Sequence, residues 1–275
     1  TTPTTYMRPI AASGSSGART TEDWGQLYTG ALGSGGDING DGLTDVLVGE
    51  PLFPGVQSDG GVGPGAFNVF LGVRGGVSQK AQLIRAPADV MPGSRFGLIL
   101  TSAGDVNHDG FGDVVVGAPL ADIVAADGGT LVGAGRAFLY LGSASGLSNQ
   151  PSWAYSIERS CALTGTSFAA ADLNRDGFTD VVVGAPSAVE QGQTMMCRGP
   201  SDVGPYPADS EVVVFAGGPS GLSTSPLASR VPVSLNSSAN EARGGGQSMA
   251  VLDFNHDGYG DDPGGIEAWS KASAE

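Results

Sequence analysis

The chain has 275 residues, a length that suits one large all-β domain or two ordinary ones. Charged residues make up only 15% of it, yet 28 Asp and Glu face 13 Lys and Arg, which gives a formal net charge of -15. This balance argues against nucleic acid and anionic membrane surfaces as partners, because both need clustered basic residues, and it suits a protein that collects cations. No apolar run approaches the roughly 20 residues of a membrane span, so we expect no membrane insertion.

The composition is rich in turn-forming residues, with 46 glycines and 17 prolines, which predicts many short strands rather than long helices. The first residue, Thr1, is compatible with removal of a secretion signal and equally with a trimmed chain. Cys161 and Cys197 are the only cysteines. In an oxidising compartment they could form a disulfide that closes a loop of about 36 residues. Two free buried thiols are the alternative.

An acidic stretch recurs four times along the chain. The copies read DINGDGLTDVLVGEP from Asp37, DVNHDGFGDVVVGAP from Asp105, DLNRDGFTDVVVGAP from Asp172 and DFNHDGYGDDPGGIE from Asp253, and their starts are 68, 67 and 81 residues apart. A second marker follows the first three copies, as GAFNVFLG (65–72), GRAFLYLG (135–142) and SEVVVFAG (210–217). The repeat therefore extends over whole units and predicts a repeat architecture.

One unit is sufficient to predict the fold. In the second unit we expect strands at 95–104, 113–118, 135–141 and 152–158. Four short strands in about 67 residues are typical of one β-propeller blade, whereas the units of a stacked solenoid are usually about 20 to 45 residues long. The sequence thus predicts an all-β propeller with three complete four-stranded blades and one partial blade. The predicted divisions are an N-terminal extension (1–23), three blades (24–94, 95–160 and 161–242) and a partial blade with a tail (243–275).

The acidic stretch D-x-N-x-D-G-x-x-D predicts a metal site. Oxygen-bearing side chains stand at positions 1, 3, 5 and 9, position 7 can offer a backbone carbonyl, and glycine at position 6 permits the sharp turn that wraps the chain around an ion. Hard oxygen ligands in an irregular shell suit Ca²⁺ better than Mg²⁺ or zinc. We expect up to four calcium ions, held by Asp37, Asn39, Asp41, Leu43 and Asp45; by Asp105, Asn107, Asp109, Phe111 and Asp113; by Asp172, Asn174, Asp176, Phe178 and Asp180; and by Asp253, Asn255, Asp257, Tyr259 and Asp261.

Two other readings of the acidic stretch are weaker. An EF-hand opens in the same way but closes with a glutamate at position 12, and no helical pattern flanks these loops. A turn that binds nothing would also favour Asp, Asn and Gly. Four copies with every oxygen position filled disfavour that alternative.

Further residues make the chain similar to a known family. Phe96-Gly97, the acidic loop, and the Gly-Ala-Pro of 117–119 and 184–186 (Gly-Glu-Pro at 49–51) resemble the FG-GAP repeats of integrin α-chain propellers and of many bacterial surface proteins. The resemblance covers roughly residues 24 to 261. It implies a calcium-bound propeller on a secreted or cell-surface protein, with the ions on the outer loops of the blades in a structural role.

The chain also departs from that family. The first unit has Trp24-Gly25 further from its acidic loop, and the third and fourth units lack a clear Phe-Gly. After Asp261, the sequence Asp-Pro-Gly-Gly (262–265) cannot form the expected buried strand. Three explanations stay open: a fragment of a longer protein, a ring completed by a second copy or another chain, and a small ring closed by residues 1–23.

Catalysis is not expected from this sequence. The only histidines, His108 and His256, lie at position 4 of acidic loops, where the side chain points away from the ion. The stretch GSASG (142–146) resembles a nucleophile elbow but has alanine at its centre. No phosphate-binding loop and no zinc spacing is present. We therefore expect no enzymatic activity.

Three functions remain. The first is an adhesion scaffold that binds a protein or glycan ligand through the connections 52–64, 120–134 and 187–209. The second is a structural subunit of an extracellular assembly, since an open part-ring leaves strand edges unpaired. The third is an accessory domain of an enzyme that acts on polysaccharide or lipid. All three place the protein outside the cell or on its surface.

Overall fold

The computed structural model describes residues 31–55, 61–186, 210–230 and 249–250. Within these ranges all regular secondary structure is β, and it forms three four-stranded antiparallel sheets, here sheets 1, 2 and 3, with two small hairpins. Each sheet uses strands that follow one another along the chain. The predicted all-β fold of four-stranded, blade-like units is confirmed.

Sheet 1 contains the first acidic loop. Its region comprises β1 (Leu32–Gly36), β2 (Asp45–Glu50), β3 (Ala66–Phe70), a small hairpin of β4 (Gly72–Val73) and β5 (Gly76–Val77), and β6 (Gln82–Arg85). The sheet order is β1-β2-β3-β6. The ladder between β1 and β2 shifts register between Ser34 and Gly36, which is a β-bulge immediately before the acidic loop.

Sheet 2 follows the same plan. Its region comprises β7 (Ile99–Gly104), β8 (Asp113–Ala118), a small hairpin of β9 (Ile123–Val124) and β10 (Thr130–Leu131), β11 (Arg136–Tyr140) and β12 (Trp153–Tyr155). The predicted second strand matches β8 at both ends. The predicted first strand begins too early, because Arg95 and Gly97 have φ of 63° and 82° and form a turn before the ladder starts.

Sheet 3 is formed by β13 (Ser167–Ala171), β14 (Asp180–Ala185), β15 (Glu211–Phe215) and β16 (Ala228–Arg230), in that order. Here the ladder between β13 and β14 runs without a register shift, from Ser167 opposite Gly184 to Ala171 opposite Asp180. The third unit therefore lacks the bulge that precedes the first two acidic loops.

The structure shows which residues of the third unit correspond to the Phe-Gly pair of the second. Thr164 forms a parallel bridge with Gly135, as Phe96 does with Gly65. Gly165, with φ of 83°, repeats the backbone conformation of Gly97. Thr164-Gly165 thus occupies the place of Phe96-Gly97. It stands one residue nearer to its acidic loop because β13 has no extra bulge residue.

The three sheets pack face to face through two apolar layers. Between sheets 1 and 2 the layer includes Leu47, Phe67, Val69, Phe96, Val114, Val116, Phe138 and Tyr140. Between sheets 2 and 3 it includes Val115, Ala137, Leu139, Val181, Val183, Val213 and Phe215. Alternate residues of β8 enter different layers, so every residue of this strand is buried. Strand β2 instead alternates between buried and half-buried residues.

The glycines of the Gly-Ala-Pro markers allow neighbouring sheets to approach closely. A Cβ added to Gly117 would lie 2.1 Å from the carbonyl oxygen of Gly165, and one added to Gly49 would lie 2.0 Å from that of Gly97. Within their own units, the N–H groups of Gly97 and Gly165 donate to the carbonyls of Gly117 and Gly184, at 3.0 and 3.1 Å, which holds these two glycines in place against the neighbouring sheet. The backbones of adjacent sheets therefore touch at this point, and no side chain fits between them.

Several predicted features lie outside the described residues. They are the N-terminal extension, Trp24-Gly25, the fourth acidic loop from Asp253, the segment 262–275 and the 187–209 connection. At the C-terminal side, Met249 packs against a third apolar cluster on the outer face of sheet 3, formed by Ala169, Val182 and Val214. The predicted division into blades and the closure of the ring stay predictions.

Candidate functional site

The three described acidic loops occupy the same place in their sheets. Residues 37–44, 105–112 and 172–179 (loops 1, 2 and 3) connect the first strand of each sheet to the second. Because the sheets pack in sequence, the loops line one rim of the molecule, here the acidic rim. The connections between second and third strands lie at the other end of the antiparallel strands, on the opposite rim.

The aspartate at position 1 closes each loop. In loop 1, Asp37 accepts the backbone N–H groups of Asp41 and Gly42, one on each carboxylate oxygen, at 2.9 and 2.8 Å. Asp105 in loop 2 and Asp172 in loop 3 accept the equivalent N–H groups, at 2.8 to 3.2 Å. Position 6 is always a glycine in the left-handed region, with φ of 82° to 89°. The turn predicted from the sequence is therefore present in all three loops.

Positions 3 and 5 are also joined. The amide of Asn107 donates to Asp109 at 2.8 Å, and the other oxygen of Asp109 accepts the N–H of Phe111 at 3.0 Å. Loops 1 and 3 repeat both hydrogen bonds with Asn39, Asp41 and Leu43 and with Asn174, Asp176 and Phe178. The side chains at positions 1, 3 and 5 thus gather on the inside of one turn.

The aspartate at position 9 has a different environment. Asp45, Asp113 and Asp180 are all 0% exposed. Asp113 accepts the N–H of Val106 at 2.8 Å and that of Gly142 at 2.9 Å. Asp45 and Asp180 make the same pair of contacts, with Ile38 and Gly72 and with Leu173 and Gly217. This carboxylate therefore fastens the acidic loop to the end of the third strand.

The sequence carries a signal for this contact that the spacing within the acidic loop does not explain. Each third-strand marker ends in a glycine, which proves to be the residue whose N–H the buried aspartate accepts. A Cβ on Gly142 would lie 2.3 Å from the carbonyl oxygen of Gly112, so glycine is the residue that fits there. The shared glycine follows from this contact between the acidic loop and the third strand.

Burial changes the acidity of these carboxyls. Desolvation raises the pKa of Asp113 to about 6; the N–H groups of Gly142 and Val106 oppose the rise, and the charges of Asp109 and Asp105 add to it. Burial raises the pKa of Asp45 and Asp180 as well. A cation in the loop would favour the ionised form of each of these acids.

The donor set of the loops fits a calcium ion. In the described residues no group of three His, Cys, Asp or Glu side chains is arranged to hold a metal ion. Loop 2 nevertheless places one unused oxygen at the predicted site: Asn107 Oδ1 is buried and has no hydrogen-bond partner. The carboxylate oxygens of Asp105 and Asp109 each retain a lone pair after accepting one N–H. All of these donors are oxygens, as Ca²⁺ prefers.

Two predicted sites cannot be placed. The fourth loop, with Asp253, Asn255, Asp257, Tyr259 and Asp261, lies outside the described residues. Cys197 also lies outside them, so the Cys161–Cys197 disulfide stays a prediction. Cys161 itself is 3% exposed, in a turn with φ of 59°.

The opposite rim carries a cavity of about 730 Å³. It lies between the 120–134 connection, the segment before β7 and the end of β12. Its lining residues are Asp89, Met91, Asp122, Ile123, Val124, Thr130, Arg136, Ala154, Tyr155, Ser156 and Glu158. Arg136 forms an ion pair with Asp89 at 2.7 Å, while Met91 and Val124 are 59% and 75% exposed. The cavity therefore combines charged groups with uncovered apolar side chains.

The three connections predicted to contact a ligand are placed to different extents. The 120–134 connection forms the β9–β10 hairpin at the mouth of the cavity. The 52–64 connection is described only at its two ends, and the 187–209 connection lies outside the described residues.

Sequence comparison identifies the repeats. Residues 29–64, 96–140 and 164–194 match the FG-GAP repeat. Integrin alpha-PS3 of Drosophila melanogaster is 36% identical over 159 residues, which cover 55% of this chain and 13% of the relative. Integrin alpha-IIb of Homo sapiens is 32% identical over 162 residues, which cover 55% of this chain and 14% of the relative. The chain thus matches only a small part of the length of these curated relatives.

Solved structures give a weaker likeness. The rhamnogalacturonan lyase PL11 of Bacillus licheniformis aligns with 84% of this chain and 39% of its own, at 14% identity and a TM-score of 0.44. The exotype rhamnogalacturonan lyase YesX gives the same TM-score and identity, with 38% of its chain covered. Likeness at this level supports no functional argument. In the part of this chain that the structure describes, no helix is long and apolar enough to cross a membrane.

Proposed function

The chain carries FG-GAP repeats similar to those of integrin α-chains, and on this premise we propose that it is a calcium-binding propeller segment that acts as a non-catalytic, extracellular ligand-binding scaffold. The similarity to integrin α-chains suggests an extracellular domain. Calcium, ligand binding and the absence of catalysis are the parts that we propose.

The observation that carries the proposal is the repeated geometry of the acidic rim. Loop 2 has an unpartnered, buried amide oxygen, Asn107 Oδ1, between two aspartates whose carboxylates face the same turn. Asp105, Asn107 and Asp109 would hold the ion, together with the carbonyl of Phe111 and the buried Asp113. The equivalent residues of loops 1 and 3 and of the predicted fourth loop would hold the others. A bound calcium ion supplies the positive charge that offsets the repulsion among these carboxylates.

The protein's own hydrogen bonds set the shape of the loop. The hydrogen bonds from positions 5 and 6 to the first aspartate set the turn. The buried aspartate at position 9 fastens the loop to the end of the third strand. Calcium would stabilise the folded chain further, because the ligand geometry exists only in the folded state.

The opposite rim is the surface that we propose for the ligand, which would be a protein or a glycan. The cavity beside the β9–β10 hairpin presents Met91, Val124 and Tyr155 next to the Arg136–Asp89 ion pair. Exposed apolar side chains beside charged groups are common at binding surfaces. The acidic rim lies at the other end of the strands, so calcium would support the frame without contacting the ligand.

Thermal unfolding tests the calcium proposal. Sites of this kind outside cells have dissociation constants of about 0.1 to 1 mM, so about 10 mM calcium stabilises the fold by about 1.4 kcal/mol or more at each site. With three or four sites we expect Tm to be about 10 °C higher in calcium than in EGTA, and magnesium to give a smaller shift.

Two variants provide the matched comparison. Asp109→Ala removes a proposed ligand from loop 2 and should reduce the calcium-dependent rise in Tm by about a third. Asp127→Ala removes an exposed aspartate of the opposite rim, which accepts the N–H of Gly129 at 2.8 Å, and should leave that rise unchanged. An equal Tm in calcium and in EGTA for the unaltered chain would reject the calcium proposal.

A second candidate function, a subunit of a multi-chain assembly, is favoured by the outer face of sheet 1. Leu32 lies opposite Val48 on this face and is 74% exposed. Leu100, its counterpart in sheet 2, lies opposite Val116 and is only 4% exposed, because sheet 1 covers it. Light scattering after size-exclusion chromatography separates the candidates. A monomer at all concentrations favours the scaffold, whereas a larger species that Leu32→Glu dissociates favours assembly.

A further inference from the structure

Neighbouring acidic loops contact one another directly. The N–H of Gly112, at position 8 of loop 2, donates to the backbone carbonyl of Asp37, at position 1 of loop 1, at 2.7 Å. The ring of Phe111, at position 7 of loop 2, lies against Gly40, at position 4 of loop 1. A Cβ added to Gly40 would lie 3.0 Å from the Cε1 atom of Phe111. Loop 2 therefore supports the part of loop 1 that carries its first aspartate.

The same relation recurs at the next junction. The ring of Phe178, at position 7 of loop 3, meets the ring of His108, at position 4 of loop 2, edge to face with centroids 6.1 Å apart. Thr179 at position 8 lies against Gly104, the residue before Asp105. In both junctions, position 7 of one loop packs on position 4 of the loop before it.

The residue at position 7 thus contributes to two loops, its own and the preceding one. Its backbone carbonyl is the proposed ligand for the ion of its own loop, and its side chain contacts the preceding loop. An ion that fixes the backbone of Phe111 also fixes the ring that rests on Gly40 and the adjacent N–H that holds Asp37. A loop that is already ordered loses less conformational entropy when it binds its own ion, which is a source of positive coupling.

We infer that Phe111 and Phe178 are positioning residues that couple neighbouring calcium sites, so that the loops of the acidic rim fill cooperatively. The inference rests on the proposed binding of calcium by these loops. Coupling is reciprocal, so an ion in loop 1 also raises the affinity of loop 2. Loss of a side chain that supports a metal ligand from outside the coordination shell typically lowers affinity by about tenfold or more.

A site-resolved calcium titration of the full chain tests this inference. The amide signals of Gly42, Gly110 and Gly177, each at position 6 of its loop, report the three loops separately in NMR spectra. In the unaltered chain we expect the three curves to rise together and more steeply than a one-site curve. In Phe111→Ala we expect the midpoint for Gly42 to move about tenfold higher in calcium, while the curves for Gly110 and Gly177 stay coupled to each other.

Leu43→Ala is the matched control. Leu43 stands at position 7 of loop 1, and in the described residues no acidic loop precedes it. This change should leave the curves for Gly110 and Gly177 unaltered. Phe111→Tyr, which keeps an aromatic ring on Gly40, should restore the midpoint for Gly42. A general loss of packing would shift the curve for Gly177 as strongly as the curve for Gly42.

The outcomes separate the two claims. If none of the three glycine signals responds to calcium in the unaltered chain, the proposed calcium binding is wrong. If all respond but Phe111→Ala leaves the curve for Gly42 in place, the coupling is overturned and calcium binding stands. If Phe111→Ala does not fold, Phe178→Ala makes the same test at Gly110.

Discussion

The two rims of this molecule differ in how much they repeat. On the acidic rim, three loops of the same length share the hydrogen bonds accepted by their aspartates at positions 1 and 9, and the position-9 aspartate is 0% exposed in each. On the opposite rim, the connections between second and third strands differ in length and sequence, and only the second forms a hairpin within the described residues.

The difference follows from what each rim has to satisfy. A buried carboxylate that accepts two backbone N–H groups tolerates little change, because every partner left alone in the interior costs free energy. A connection on the opposite rim only has to return the chain to the next strand, and it can vary and acquire contacts of its own. The repeated acidic rim is therefore the structural part of the molecule, and the variable opposite rim is the surface available to a ligand.

The largest expected effect would come from breaking the acidic rim at its buried acid. Asp113→Ala leaves the N–H groups of Val106 and Gly142 without their acceptor in the interior. We expect the free energy of unfolding to fall by about 3 kcal/mol in urea with EGTA present, so that calcium has no part in the result. Asp113→Asn retains one acceptor oxygen, so its free energy of unfolding should fall by less than that of Asp113→Ala. An unchanged unfolding midpoint in Asp113→Ala would remove the proposed reason for the repetition.

A second substitution sharpens the comparison, because one contact near the opposite rim is as constrained as the acidic loops. Gly117→Ala would place its Cβ 2.1 Å from the carbonyl oxygen of Gly165, so the sheets would have to separate, and we expect a loss of about 3 kcal/mol on unfolding in urea. Gly128, with φ of 85°, has no atom within 4 Å of its ideal Cβ position. Gly128→Ala should therefore cost only the backbone strain, about 1 kcal/mol. Equal losses would contradict the close approach of the backbones.

The smallest expected effect has the opposite sign. Tyr140, at the acidic-rim end of β11, is 0% exposed, and its hydroxyl has no hydrogen-bond partner. Tyr140→Phe removes this unpartnered group and should stabilise the fold by about 1 kcal/mol. The result would show that buried hydrogen bonds, and not position on the rim, set the cost of a substitution. Destabilisation by this change would indicate a hydrogen bond to the hydroxyl.

Alkaline pH gives an independent check on the same residue. Burial raises the pKa of Tyr140 above its usual value of 10.0. The folded state therefore favours the neutral phenol, and stability falls as pH rises from about 10 toward the folded-state pKa. Urea unfolding between pH 9 and 11 should show a smaller fall in Tyr140→Phe than in the unaltered chain.

Much of the fold was predictable because the chain repeats itself. The strand Asp113–Ala118 was predicted at both ends, since its apolar run is closed by an aspartate and a proline. The start of β7, just after Gly97, was not predicted correctly, because left-handed turn residues before a ladder leave no periodic signal. Thr164-Gly165 was missed because threonine stands in place of the phenylalanine and because β13 lacks the bulge residue, which puts the pair one residue nearer to its acidic loop.

The sequence predicted which residues form the candidate site, but it did not predict how all of them are arranged. The positions of the oxygens in loop 2 follow from the spacing of Asp105, Asn107 and Asp109. The burial of Asp113 and its hydrogen bond to Gly142 could not be derived from spacing, because the two residues are 29 apart and meet only when β8 pairs with β11. The sequence indicated the 120–134 connection as part of a contact surface, but it gave no signal for Asp89, Met91 or Tyr155, which also line the cavity.

The number of calcium ions bound per chain tests the central claim most directly. Equilibrium dialysis of the full chain against about 10 mM calcium, followed by elemental analysis, should find about three ions, one for each of loops 1, 2 and 3, and a fourth if the loop from Asp253 also binds. Dialysis of Asp109→Ala should find fewer. A chain that retains no calcium above the level of the buffer would contradict the account.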